Sequence, residues 1–225
     1  MSTLIKAENV TRKYVVGGES IYALNNVSAE VESAGLSIFC GRSGSGKTTL
    51  LNQLSLLDRP DEGVVELDGT NASDASDSWR DEYRRTHFGI IFQSVALMPY
   101  MNALENIEFG LRVANMPYAK RKGRAKECLS IVGLAKRWAH MPTELSGGEQ
   151  QRVAIARAIA HSPSVLFADE PTAELDSQTG LQIVKLFFDL IEEHGVTVVM
   201  TTHDPRFMEL GRRVYTLQDG EIVDG

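Results

Sequence analysis

A short apolar run, Leu36 to Cys40, leads directly into Gly41-Arg42-Ser43-Gly44-Ser45-Gly46-Lys47-Thr48, and this octet constrains the fold more than any other stretch. It fits G-x4-G-K-[ST], with an apolar strand before it and a leucine-rich helical stretch, Gly46 to Leu57, after it. Glycines let successive backbone N–H groups curl around a phosphate, and the helix start at Gly46 adds its positive end. Lys47 then supplies a point charge to the β- and γ-phosphates of a nucleotide, and the Thr48 hydroxyl suits a magnesium ion. With Thr49 beside them, these residues are the candidate nucleotide contacts. The bland alternative is a flexible glycine loop, and a chance match of the whole pattern arises on the order of once in a hundred such chains. The loop alone leaves GTPases, small-molecule kinases and recombination motors open.

The order of elements narrows the choice. Period-two runs at Leu4–Val10 and Tyr22–Val31, Val64–Leu67 before the turn Asp68-Gly69, and His87–Phe92 predict strands. Asn71–Ser78 reads as a polar loop. From Leu97 to Glu144 helical patterns take over, broken at Met116-Pro117 and Gly133, which predicts an inserted lobe of two or three helices. A helix to about His161, strand Val165–Ala168, helix Gln178–His194, strand Val196–Thr201 and short strands near Val214 and Glu221 complete the chain. This alternation predicts an α/β core with a largely parallel sheet.

At 225 residues the chain is long enough for one sizeable domain with a smaller lobe inserted. A net charge of −7 speaks against a nucleic-acid partner, whose electrostatic footprint is basic. Cys40 and Cys128 are too few for a disulfide framework and lack metal-ligand spacing, so both are expected to be reduced and structural. No stretch approaches the roughly 18 apolar residues of a membrane span, and the start Met1 to Lys6 does not read as a signal peptide. These features place the chain in the cytoplasm. The basic run Lys120-Arg121-Lys122 reads as a solvated helix face rather than a membrane patch.

Two further motifs carry chemistry. Val165 to Ala168 ends in Asp169-Glu170-Pro171; Asp169 suits the magnesium shell, and Glu170, set opposite by strand alternation, suits a general base for water. Ser146-Gly147-Gly148-Glu149 opens a helix. As a capping box it needs no glycine, and two glycines in a first turn cost about 1 kcal/mol each relative to alanine. Bare amides and a hydroxyl at a positive helix end describe an anion site. One nucleotide thus has two predicted phosphate cradles.

Leu145 to Arg152 resembles the signature of ATP-binding-cassette (ABC) ATPases, and the resemblance covers essentially the whole chain. It implies a P-loop NTPase core with a parallel sheet, an N-terminal antiparallel β lobe and an inserted α-helical subdomain. One nucleotide-binding domain would span 1–225, with 1–96 and 146–225 forming the core and β lobe and 97–145 the helical subdomain. It further implies ATP and Mg2+ as cofactors and a homodimer on ATP binding, in which Ser146, Gly147 and Gly148 contact the γ-phosphate of the opposite subunit. By the same resemblance Gln93 ligates magnesium and senses the membrane partner, and His203 contacts the γ-phosphate. Tyr14 stacks on adenine, with Tyr22 close by, and Asp176 lies in the loop linking the two sites. The implied function is ATP hydrolysis that powers a separate transmembrane permease, on the inner face of the cell membrane.

Tyr22-Ala23-Leu24, Leu97-Met98-Pro99 and Ala103-Leu104-Glu105-Asn106 are most similar to the branch serving macrolide-exporter, lipoprotein-release and antimicrobial-peptide permeases. Three departures stand out: Ala173-Glu174 stands where that branch usually has Gly-Asn, Ser55-Leu56-Leu57 replaces a glycine-containing turn, and Thr48 replaces serine. Two rival readings accompany this one. The same ATPase could drive a non-transporting membrane partner, or a soluble cassette could act on DNA or ribosomes; the latter generally carries a coiled coil, zinc ligands or a second cassette, none of which is present.

Overall fold

In the computed structural model, which describes residues 3–225, two sheets sandwich the helix that follows the glycine loop. Strands β1 (Thr3–Val16) and β2 (Glu19–Glu32) form a long hairpin, joined by β4 (Glu62–Leu67) and β5 (Thr70–Asn71) in the antiparallel order β2-β1-β4-β5. Alternation puts Ile5, Ala7, Leu24 and Val27 on its inner face, fully buried, as expected of a sheet with one solvated side. The expected N-terminal antiparallel lobe is therefore present.

The second sheet holds β3 (Leu36–Cys40), β6 (Phe88–Ile91), β7 (Val165–Ala168), β8 (Thr197–Thr202), β9 (Arg213–Gln218) and β10 (Glu221–Asp224), ordered β10-β9-β3-β8-β7-β6. All neighbours pair parallel except β10 with β9. Its central strands β3, β7 and β8 are buried along their whole length, which is why they read as continuous apolar runs. Helix α1 (Lys47–Leu54) packs Leu50, Leu51 and Leu54 between the two sheets, against Ile5, Val27, Phe39 and Val199. The other face of the parallel sheet is covered by α3 (Ala103–Val113), α4 (Tyr118–Ile131), α5 (Gly147–Ile159) and α6 (Ser177–His194). Ile107, Leu129, Ile155 and Phe187 share one core there with Leu166 and Val198. The helices between β6 and β7 thus pack on the main sheet's own core.

Two expectations are corrected. The helix after the glycine loop stops at Leu54, not Leu57, because Leu56 takes a left-handed conformation (φ +61°) with its side chain fully buried. Arg80 Nη2 donates to its carbonyl at 2.8 Å, and Arg84 donates to it as well. The polar stretch after Asn71 is a loop only to Ser76, and α2 (Asp77–His87) follows. Ser76 caps that helix through Trp79 N–H, and Trp79, Tyr83 and His87 stack at four-residue spacing. Trp79 and Tyr83 are only half-buried and the one buried residue is Arg80, so no apolar stripe marks the helix in the sequence.

Both cysteines are free and buried, and burial pushes the Cys128 thiol up to about 11, the signature of an inert structural cysteine.

Candidate nucleotide-binding and catalytic site

Parallel pairing brings the C-terminal ends of β3, β7 and β8 side by side, with Cys40 opposite Thr202 and Ala168 opposite Met200. The loops leaving these three ends build the site, at the edge where open α/β sheets place ligands. The glycine loop leaves β3 and opens α1. Gly46 has φ +103°, and a Cβ there would lie 2.5 Å from Ala23 O, so this position tolerates only glycine. A cavity of about 950 Å³ lies over the loop, walled by Gly41, Arg42, Ser43, Gly44, Gly46, Lys47, Thr48 and Thr49 and by Gln93, Glu170 and His203. Ser45 lies beneath the wall, its hydroxyl buried without a hydrogen-bond partner.

Lys47 is buried and its ammonium is fully engaged. It donates to Gly41 O and Arg42 O at 3.0 Å each and lies 3.1 Å from Glu170 Oε1. The Thr48 hydroxyl donates to Asp169 at 2.9 Å. Asp169 also accepts from the Thr201 hydroxyl at 2.6 Å, and the same hydroxyl accepts from Glu170 N–H at 2.8 Å. Thr201 therefore fixes both acids, a role not visible from the sequence; a fully buried hydroxyl at the end of an apolar strand was the available signal. Strand alternation is not what separates Asp169 from Glu170. The strand ends at Ala168, and Glu170 sits in a left-handed turn (φ +43°) that carries both carboxylates to the first turn of α1.

The second Glu170 oxygen is 2.7 Å from His203 Nδ1. Burial raises the Glu170 carboxyl, but hydrogen bonds from His203 and Lys47 and their charges outweigh it, so the net shift is downward and the group is ionised at neutral pH.

Thr48, Asp169 and Gln93 offer only oxygen donors to a cation, the chemistry of a hard ion such as magnesium. The free Ser45 hydroxyl and the glycine wall suit a polyphosphate, so the residues present fit both groups.

Ser146, Gly147 and Gly148 do not line this cavity. Ser146 caps α5, accepting from Glu149 N–H at 3.3 Å, while Glu149 Oε2 accepts from Ser146 N–H at 2.9 Å. The capping box is thus present, and it uses the acceptor side of the serine hydroxyl, leaving its proton free to donate. Gly148 has a packing reason of its own: a Cβ would lie 2.4 Å from Thr179 Cγ2.

A sequence model of the ABC transporter family matches residues 24–173. An uncharacterized ABC transporter ATP-binding protein, MJ0796 of Methanocaldococcus jannaschii, is 46% identical over 224 residues, covering 97% of this chain and 95% of its own. The chain belongs to the ABC transporter family. The macrolide export ATP-binding/permease protein MacB of Burkholderia lata is 39% identical over 220 residues, 98% of this chain but 32% of MacB. A dimeric structure of a post-hydrolysis state of the MJ0796 cassette, bound to ADP and Pi, superposes with a TM-score of 0.90 at 44% identity, covering 98% and 97% of the two chains. The fold is that of an ABC ATPase, and the activity is ATP hydrolysis.

Tyr14 and Asp176 of this ABC ATPase also lie off the cavity wall. Tyr14 donates its hydroxyl to Asp58 at 3.2 Å, and the Arg12 guanidinium covers its ring at 4.8 Å; Tyr22 lies under Lys13. Asp176 caps α6, accepting from Gln178 N–H, Thr179 N–H and the Thr179 hydroxyl. Glu174 of the departing pair does line the cavity, beside Ala173.

Proposed function

We propose that this chain is the ATP-binding subunit of a transporter, pairing head to tail with a second copy around MgATP and driving a separate transmembrane permease. The carrying observation is that the two candidate phosphate cradles stand apart on one chain. The Gly41–Thr49 loop walls the cavity, while the hydroxyl and amides of Ser146, Gly147 and Gly148 belong to another surface. A second copy that brings its Ser146 turn over the first copy's loop makes one complete grip from two halves. The dimeric structure of the MJ0796 cassette supports that pairing.

The chain's own groups suggest the sequence of events. Lys47 exchanges Glu170 for the γ-phosphate, which frees Glu170 Oε1 to take a proton from the attacking water. His203 holds the other oxygen and so fixes the carboxylate's direction. Magnesium, held through Thr48, Gln93 and Asp169, would supply charge neutralisation on the β- and γ-phosphates. Tyr14, by resemblance, would stack on adenine, and Asp176 would sit between the two sites.

No helix among the described residues is long and apolar enough to cross a membrane. In this reading the membrane partner is a separate chain, and the subunit sits at its inner face. A groove of about 610 Å³ beside Gln93 fits such a partner. Phe92, Met98, Phe109 and Val113 line it, Arg84 and Arg85 stand at its side, and Tyr100 projects nearby with 92% exposure. The test is affinity capture of the chain from detergent-solubilised membranes, then reconstitution with the captured polypeptide. A co-purifying membrane protein and ATP-dependent movement of a solute or lipid support transport. ATPase stimulation without movement assigns the chain to the non-transporting class.

A further inference from the structure

Arg137, a residue of no sequence motif, ties the signature turn to the loop after α4. Arg137 lies in the loop after α4, held by its own N–H to Leu134 O at 2.9 Å and by His140 N–H to its carbonyl at 3.0 Å. Its Nε donates to Glu149 Oε1 at 2.9 Å. The other oxygen of the same carboxylate accepts from Ser146 N–H at 2.9 Å. Glu149 is thus a two-ended link, with the guanidinium at one end and the backbone of the signature serine at the other.

The link answers a charge problem. Glu149 sits in the first turn of α5, the turn whose Ser146 hydroxyl and Gly147 and Gly148 amides would receive a γ-phosphate. A carboxylate there strengthens the cap but repels an arriving anion. Arg137 offsets that charge while holding the carboxylate where it caps. The arginine is half exposed, so solvent screens the pair and reduces what it contributes to folding, while its field still acts at the turn beside it. The same loop ties back to α3, with Ala103 N–H on His140 O and Leu104 N–H on Trp138 O at 2.9 Å each.

We propose that Arg137 is a positioning residue for ATP-driven pairing: it neutralises Glu149 and fixes the Ser146 turn for the phosphate of the opposite copy. This rests on the reading of the signature as a phosphate site in trans. The experiment follows dimer formation of the full chain by sedimentation against MgATP concentration, in a Glu170→Gln background that stalls hydrolysis. Arg137→Ala is expected to raise the ATP needed for half-dimerisation about five-fold at low salt, the size of a charge effect at a helix end, and less at high salt. Arg137→Lys should recover part of the loss. Arg137→Ala with Glu149→Gln should recover most of it, because the amide still caps Ser146 and brings no charge. Pairing unchanged by Arg137→Ala, or a loss that Glu149→Gln does not reverse, overturns the proposal. A Ser146→Ala arm separates the two failures. If Ser146→Ala pairs normally, the trans reading falls and the role of Arg137 with it; if Ser146→Ala is impaired while Arg137→Ala is not, only the role of Arg137 falls.

Discussion

In the proposed mechanism Glu170 leaves one of the two groups that hold it, Lys47, and keeps the other, His203. Its carboxylate bridges Lys47 and His203, and the lowered pKa records that bridge. A depressed carboxyl contributes stability above its unfolded value, near 4.5, and loses it as pH falls through the lower folded value. Thermal unfolding of the nucleotide-free protein should therefore show a loss below about pH 4.5 that Glu170→Gln lacks. Identical pH profiles would remove the bridge from the account. In turnover assays Glu170→Gln should lower hydrolysis by roughly 10²- to 10⁴-fold while ATP binding persists. Thr201 is the second test at this scale. Thr201→Val leaves the Glu170 N–H without its acceptor and should cost about 1–3 kcal/mol in denaturant unfolding, with Thr201→Ser near the parent.

Gly148 shows how an element contact can resemble a ligand contact in a sequence. The glycine lets the start of α5 approach Thr179 in the first turn of α6, at a spacing no Cβ allows. Gly148→Ala should destabilise by about 1–3 kcal/mol through overpacking, and Thr179→Ser, which deletes the clashing methyl and keeps the hydroxyl bound to Asp176, should restore most of it. No recovery would point to strain elsewhere in the turn. The elements legible in the sequence were those whose residue types are dictated locally: the buried strands β3 and β7, the glycine turn before Lys47, and the break at Met116-Pro117. Helix α2 escaped because i,i+3 ion pairs, Asp81 with Arg84 and Glu82 with Arg85, and a stacked aromatic ladder stand where an apolar stripe would be. Thr201 and Arg137 escaped because the residues they hydrogen-bond, Glu170 and Glu149, lie 31 and 12 positions away, so only folding brings them together.

Across the whole molecule, the antiparallel lobe, α1 and the parallel sheet form one packed body that fixes the glycine loop, while the signature turn sits at the start of another helix and away from the loop's cavity. In the proposed pairing, a single chain presents half of each grip. Pairing should depend on the γ-phosphate and should not follow from ADP. The most direct measurement is the sedimentation mass of the Glu170→Gln chain with MgATP, with MgADP and without nucleotide. A mass that doubles with MgATP alone, and fails to double when Ser146 is changed to alanine, is the expected result. A single-chain mass under all three conditions would contradict the shared site.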